Sequence, residues 1–269
     1  MAVPASAPGA AEVNFWRPGG GSFRALAPGE PFFFKLTPHD AIGGFGVFAR
    51  FDVLPVWRAW DVFGQANGTA DEIELLSRLG RLAASGPVDM DRPIGCVAVV
   101  EPVFFAPDEW VPTPADWHPT IVRGAAYDLE RGDGARLWGA CLERAAARRT
   151  APQWTLVAAD AQRHGRPQIV IPRLGQSSFR LAVLDAYGGA CAVTTEHSLP
   201  VLEAAHMRPW AVGGEHELPN GLPLRRDLHR LFDLGFVTVG PTCGSRSARS
   251  CATRTRTGAR TTRSKDGQS

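Results

Sequence analysis

The sequence lacks any apolar run long enough to cross a membrane. A transmembrane helix needs about 18 or more consecutive apolar residues, and no such stretch occurs among the 269 residues. The N-terminus, MAVPASAPGAAEVNF, has no basic segment before an apolar core, so no signal peptide is predicted. The five cysteines form no C-x-x-C pair, which argues against a zinc ribbon or a disulfide framework. We therefore expect a protein of the reducing cytoplasm.

Positive charge is scarce outside the C-terminal end. The formal net charge is +2, but residues 243–269 contain seven basic residues and one acid. The residues before them carry 22 basic and 26 acidic side chains, a net charge of −4. If this larger part binds nucleic acid, it must do so through a local basic patch and not through a general positive field.

The first half of the chain has the pattern of an α+β domain. Residues 1–14 are rich in Pro, Ala and Gly and are predicted to be a disordered leader. Residues 15–150 contain three β-prone runs, PFFFKL, GGFGVFARF and IGCVAVVEPVFF, and two helical segments, DEIELLSRLGRLA and 128–150. This order predicts a small α+β barrel-like domain. Residues 151–172, mixed and basic, are predicted to be a linker.

Large aromatic residues of this half lie near predicted loops or strand ends. They are Trp57, Trp60, Phe63, Trp110 and Trp117. They could form a cage that stacks a flipped nucleobase, or they could fill the core of a small barrel and its rim.

Residues 173–241 are predicted to form a second, smaller domain. QSSFRLAVLDAYGG has helical periodicity, with Ser177 or Ser178 able to cap its start and Gly188 its end. CAVTT and PVLEAAHM are predicted to pair as a hairpin, and RRDLHRLFDLG to form the helix that follows. The expected arrangement is ββα.

Three polar residues mark this domain at a specific spacing. His206 ends the apolar run LEAAH, Asn220 follows fourteen residues later, and His229 lies nine residues further on. This layout resembles the His-Asn-His (HNH) nuclease motif, a ββα-metal finger. The framing segments YGGACAVT, GGEHELPNGL and DLHRLFDLGFVTV resemble HNH proteins described as predicted restriction endonucleases. The N-terminal region resembles modified-base readers of the PUA superfamily (EVE, ASCH and SRA-type modules). This resemblance rests on its pattern of short strands and on its place beside the nuclease motif, not on a sequence motif of its own.

The resemblance implies a catalytic role for each of the three residues. His206 would be the general base that activates water, and His229 would bind the metal from the helix. Asn220 would fix the loop and can also bind the metal, while Gly221 permits a tight turn. Asp233, one helical turn after His229, would bind the metal or orient the histidine ring. Sparse, oxygen-rich ligands favour Mg²⁺ or Mn²⁺ over zinc.

One position departs from the family pattern. Many HNH enzymes have Asp or His immediately before the general base, as a metal ligand, whereas this chain has Ala205. Either another residue supplies the ligand or His206 itself binds the metal. The candidate replacements are Glu203, His216, Asp227 and Asp233.

Arginines around the motif are candidates for contact with DNA phosphates. They are Arg173, Arg208, Arg225, Arg226 and Arg230. Arg225 and Arg226 could instead pair with Glu215 or Asp227. Arg180 could pack behind the finger or face DNA.

These patterns predict a metal-dependent DNA endonuclease of restriction type, with an N-terminal recognition domain that reads DNA or a modified base. The alternatives are a DNA-binding protein with an inactive HNH domain, and a nicking or toxin nuclease that acts on other nucleic acid. A double-strand break needs two active sites, so a homodimer is expected.

The composition changes abruptly after GFVTVGP. Residues 242–269 have few apolar residues and no periodicity, as in a basic low-complexity tail that adds non-specific DNA binding. The other interpretation is a shifted reading frame. With GC-rich codons, restoring one nucleotide after Pro241 changes the tail to DLRLAVSPELRDEDENGGEDYALQGRAV, which contains a strand pattern, a helix pattern and an ending like that of the resembled family.

Sequencing the gene across codon 241 distinguishes the two interpretations of the tail. If the frame is shifted, we expect a second open frame there that encodes the periodic segment. A single uninterrupted frame with no open alternative beside it would contradict the shift.

Overall fold

The computed structural model describes residues 11–36, 39–83, 88–117, 124–147, 175–208, 214–239 and 253–255. It divides into two compact units, Met1–Ser178 and Phe179–Ser269, which we call unit 1 and unit 2. The expected mixed α+β class is confirmed. None of the described helices combines the length and the apolar character that a membrane span requires.

The described part of unit 1 holds β1 (Glu12–Arg17), β2 (Pro31–Leu36), β3 (Ala41–Pro55), α1 (Val56–Phe63), α2 (Glu72–Leu82), β4 (Pro93–Phe104), β5 (Val111–Pro112) and α3 (Gly132–Ala147). Helix α4 (Gln176–Ala186) crosses into unit 2, which continues with β6 (Leu202–His206), β7 (Gly221–Arg225), α5 (Arg226–Asp233), β8 (Val237–Val239) and β9 (Thr253–Thr255). The three strands and two helices predicted for unit 1 are therefore present.

The sheet of unit 1 is antiparallel, in the order β1-β4-β3-β2, with β5 beside β3. The apolar runs of β3 and β4 occupy its centre, which explains why these strands read as continuous hydrophobic segments. Strand β3 changes register between Phe45 and Val47 and again between Phe48 and Arg50. Strands β1 and β2 are the two edges of this described strand order and do not pair with each other. The predicted closure into a barrel is therefore not seen among these strands.

Helix α3 covers one apolar cluster of this sheet. Leu137, Cys141 and Ala145 recur every four residues on one face of the helix and pack with Ile42 and Phe45 of β3. The predicted helical periodicity of segment 128–150 is confirmed over Gly132–Ala147.

The predicted disordered leader is wrong from Glu12 onwards. Strand β1 begins there and pairs with β4, and the side chains of its first five residues are buried. The Glu12 carboxylate accepts hydrogen bonds from the backbone N–H groups of Ser177, at 3.0 Å, and Ser178, at 3.2 Å, and from the Ser178 hydroxyl. Glu12 thus caps the start of α4, the role predicted for a serine. Residues 1–10 lie outside the described part.

Unit 2 is built on an antiparallel hairpin followed directly by a helix. Strand β6 pairs with β7 from Leu202 opposite Arg225 to His206 opposite Gly221, and α5 begins at the next residue. The apolar cluster beneath the hairpin comprises Leu184, Cys191, Leu202, Ala205, Leu222 and Leu224. The ββα order is therefore confirmed.

The predicted first strand of that hairpin is wrong. Residues 191–195, CAVTT, form a turn in which the Thr195 N–H donates to the Cys191 carbonyl at 3.0 Å and Thr195 has φ of +57°. The partner of β6 is instead GLPLR, on the far side of the loop. The predicted linker and the tail, except Thr253–Thr255, lie outside the described residues.

Candidate active site

Gly221 allows the hairpin to approach helix α4. Its φ of −102° and ψ of 139° are ordinary extended values, so the predicted need for a tight turn is wrong. A methyl group at Gly221 would lie 2.1 Å from Cγ2 of Val183 and 3.1 Å from the ring of Phe179. Glycine is required because the strand and the helix are in close contact.

Asn220 holds the two ends of the loop between β6 and β7 together. Its Oδ1 accepts the Arg208 N–H at 2.7 Å, and its Nδ2 donates to the carbonyls of Arg208, at 3.1 Å, and Glu215, at 3.0 Å. The Asn220 carbonyl accepts the N–H of Met207, at 2.9 Å. These bonds support the predicted loop-fixing role, while metal binding by Asn220 stays a prediction.

The imidazole of His206 packs against aromatic rings. The Phe179 ring stacks on it at 4.5 Å between centroids and 15° between planes, and the His216 ring lies 4.9 Å away. Its Nε2 is buried and has no hydrogen-bond partner among the described residues. If the hydrogen of the neutral ring lies on Nδ1, Nε2 has the lone pair that a general base uses.

Burial lowers the pKa of His206, and the nearby His216 and His229 lower it further. Only Asp233 acts in the opposite direction. The ring is therefore neutral at neutral pH, which is the state that a general base needs.

The imidazole of His229 has a carboxylate beside each nitrogen. Nδ1 lies 2.8 Å from Oε2 of Glu203, and Nε2 lies 3.6 Å from Oδ2 of Asp233. The second oxygen of Glu203 accepts from Nε of Arg226 at 2.7 Å. Desolvation alone would raise the pKa of Glu203, but the hydrogen bonds from Arg226 and His229 outweigh it, so the net shift is downward. Glu203 is thus a carboxylate.

Nε2 of His229 and Oδ2 of Asp233 fit a shared divalent cation. Each donor would lie about 2 Å from a bound metal, so a separation of 3.6 Å suits two ligands of one ion. The described residues contain no group of three or more His, Cys, Asp or Glu arranged to hold a metal. The described candidates are thus a pair on one helix, and the identity of the metal stays a prediction.

The four residues that could replace the metal ligand missing at Ala205 differ in their positions. That side chain is 0% exposed within the apolar cluster of unit 2. Asp227 pairs with Arg225, and His216 stacks on Phe179 at 5.3 Å between centroids. Glu203 and Asp233 are the two candidates that flank His229.

The predicted DNA-contacting arginines differ in their surroundings. Arg225 binds Asp227 through two hydrogen bonds, of 3.0 and 2.6 Å, and Arg226 binds Glu203. Arg208 and Arg230 are exposed on the same unit. Arg173 lies outside the described residues.

Arg180, whose role was left open, donates to the carbonyls of Leu202 and Leu199, at 3.2 and 3.4 Å. It therefore braces the segment that leads into β6.

The aromatic residues predicted as a cage belong to two places in unit 1. Trp57, Trp60 and Phe63 lie on α1, whereas Trp110 and Trp117 flank β5. Trp110 packs on His39, at 4.7 Å between centroids.

Trp117 belongs to a small aromatic and basic group beside that strand. It stacks with Tyr127 at 6.3 Å between centroids, and Nζ of Lys35 lies 5.4 Å from the centre of its indole ring.

The comparison with known families agrees with this geometry. Residues 191–240 match a family model described as HNH endonuclease. This segment is an HNH endonuclease domain. It includes β6, β7, α5 and all three motif residues, and its family implies hydrolysis of phosphodiester bonds in nucleic acid with a divalent metal. No curated protein matches the chain.

Two features of the HNH site were missed from the sequence. Nothing in the helical pattern of QSSFRLAVLDAYGG marks Phe179 as the ring that stacks on His206. Glu203 was only one of four candidate ligands, although a period of two along a strand places it on the same side as Ala205.

We expect Gly221→Ala to destabilise the protein by about 1–3 kcal/mol, because the added methyl group overpacks the contact with Val183 and Phe179. Thermal unfolding measures this loss, and nuclease activity should fall with it because Phe179 also carries the His206 ring. Gly139→Ala is the control, since a methyl group there would meet nothing within 4 Å. Equal unfolding temperatures for the two variants would contradict the packing argument.

Proposed function

We propose that this protein is a divalent-metal-dependent DNA endonuclease of restriction type, with His206 as its general base. The observation that carries the proposal is the state of His206, whose Nε2 is buried and has no hydrogen-bond partner among the described residues. The pKa of the same ring is affected by both His229 and Asp233, the proposed metal ligands. Phosphodiester hydrolysis needs such a base beside a group that binds the phosphate.

Each residue of the proposed active site has a defined task in this mechanism. His206 accepts a proton from the attacking water at its free nitrogen, and Phe179 keeps the imidazole in plane for that transfer. Asn220 fixes the loop that follows His206, so the base cannot swing away. His229 and Asp233 would hold Mg²⁺ or Mn²⁺, which when bound would neutralise phosphate charge and stabilise the leaving oxygen.

Substrate contact is proposed for exposed arginines of unit 2. Arg208 lies near the start of the loop that Asn220 fixes, and Arg230 directly follows His229. Arg225 and Arg226 already neutralise Asp227 and Glu203, so their main effect is on the charge balance of the site. This division supports a narrow basic surface, as the net charge of −4 outside the tail requires.

Unit 1 is proposed to recognise DNA, including modified bases, and a homodimer to supply the second cut. Trp117 and Tyr127 support recognition, because aromatic rings can stack a nucleobase, while Lys35 lies over the Trp117 ring and pairs with Asp40.

An inactive HNH domain that only binds DNA is the second candidate. It is favoured by the burial of Ala205, which leaves His229 and Asp233 as the two described ligands on the helix side. The two candidates differ in one observable, which is cleavage that depends on a metal.

We expect the protein to cut plasmid DNA with Mg²⁺ or Mn²⁺ and His206→Ala to lose at least about 100-fold in rate, the usual contribution of a general base. Plasmid conversion on a gel measures this. His197→Ala is the matched control, since it removes an exposed histidine of the same unit. DNA binding without cleavage by the wild type would favour the inactive domain.

The same assay tests the type of nuclease. Methylated, hydroxymethylated and unmodified plasmids are compared in parallel. Cutting of modified plasmid alone would support recognition of a modified base, whereas equal cutting of all three would contradict it. Nicked circles without linear product would contradict a double-strand break.

The pH dependence of cleavage follows from the lowered pKa of His206. A base with a depressed pKa stays neutral to lower pH, so kcat/KM should decline only below about pH 6.5, the ordinary histidine value. His216→Gln removes a neighbouring imidazole that lowers the pKa of His206, so the decline should move to higher pH. A decline centred above about pH 6.5 in the wild type would contradict the role of His206.

A further inference from the structure

We propose that Glu203 is a positioning residue that keeps the hydrogen of His229 on Nδ1, so that Nε2 presents its lone pair to the metal. The inference rests on the proposed function, because it concerns the cation that His229 and Asp233 would share. It assigns a role to a strand residue outside the three-residue motif.

The carboxylate of Glu203 is held at both oxygens. Oε2 lies 2.8 Å from Nδ1 of His229, and Oε1 accepts from Nε of Arg226 at 2.7 Å. The side chain reaches from β6 to α5, and the side chains of Glu203 and His229 are only 31% and 21% exposed. A carboxylate fixed in this way has little freedom to turn away from the histidine.

A neutral imidazole carries one hydrogen, and the partner of one nitrogen decides which nitrogen carries it. An ionised carboxylate can only accept hydrogen bonds. Because Oε2 of Glu203 faces Nδ1, the hydrogen of a neutral His229 must lie on Nδ1. Nε2 then has a free lone pair, and it is the nitrogen that faces Asp233 at 3.6 Å.

The rival role for Glu203 is that of a direct metal ligand in place of the acid absent at Ala205. The contacts favour positioning, because both oxygens already bind side chains, and Oε2 contacts Nδ1 whereas Asp233 contacts the other nitrogen, Nε2. Carboxylates that orient metal-binding histidines typically change metal affinity by about 10–100-fold when they are removed.

Glu203→Gln reverses the hydrogen bond without changing the shape of the side chain. Arg226 can only donate, so it should retain the amide oxygen of Gln and leave the amide N–H groups facing His229. The histidine would then have to accept at Nδ1 and carry its hydrogen on Nε2, where the metal binds. The double change Glu203→Gln with Arg226→Met frees the amide to turn its oxygen back to Nδ1.

The experiment reads the hydrogen position and the metal affinity without DNA. Two-bond ¹H–¹⁵N correlation spectra of protein labelled at histidine nitrogen report which nitrogen of the neutral His229 ring carries the hydrogen. A His229→Ala sample assigns the signals, and Mn²⁺ binding is measured by calorimetry. Arg226→Met alone is the control for the lost ion pair.

We expect Nδ1–H in the wild type, Nε2–H with about 10–100-fold weaker Mn²⁺ binding in Glu203→Gln, and recovery of both in the double variant. An unchanged tautomer in Glu203→Gln, with normal Mn²⁺ binding by the wild type, would overturn the positioning role alone. Recovery of the tautomer without recovery of affinity would make Glu203 a ligand and overturn it too. A wild type that binds no Mn²⁺ would overturn the proposed metal-dependent function together with this inference.

Discussion

The register of the β6–β7 hairpin determines where each polar group of the HNH domain lies. His206 stands opposite Gly221, and the loop between them is fixed by Asn220. A shift by one residue would exchange the two faces of β6, moving Ala205 out of the apolar cluster and Glu203 away from His229. The register is maintained because Leu202 of β6 and Leu222 and Leu224 of β7 are buried in one apolar cluster. The chemistry of the site thus depends on an apolar packing arrangement.

The two histidines of the domain occupy opposite environments, and this difference separates their tasks. His206 lies against Phe179 with a buried nitrogen that has no partner among the described residues, which favours the neutral ring. His229 has a carboxylate near each nitrogen, which suits a ring that shares a cation with acidic ligands. Titratable groups placed in contrasting surroundings are typical of catalytic sites.

Local patterns in the sequence predicted much of this structure, and the failures have physical causes. The apolar runs of β3 and β4 and the periodicity of α3 were sufficient, because burial decides both. The β-branched residues of CAVTT favour a strand, but a turn at Thr195 prevails. Gly221 was read as a turn residue, since the packing of α4 against β7 depends on contacts distant in sequence. The contacts of Glu203 with His229 and Arg226 bridge 26 and 23 residues, so no local pattern contains them.

The cost of the His206 environment bears on whether the HNH domain is active. A buried polar atom without a hydrogen-bond partner costs roughly 1–3 kcal/mol, a large share of the stability of a small domain. A polar group placed at the surface would bind DNA without that cost. A water or a phosphate group that bound the nitrogen would offset this cost, as the proposed hydrolysis requires. Apart from the missing acid at Ala205, such a nitrogen is what the proposed hydrolysis would need, and a domain that only binds DNA would have no use for it.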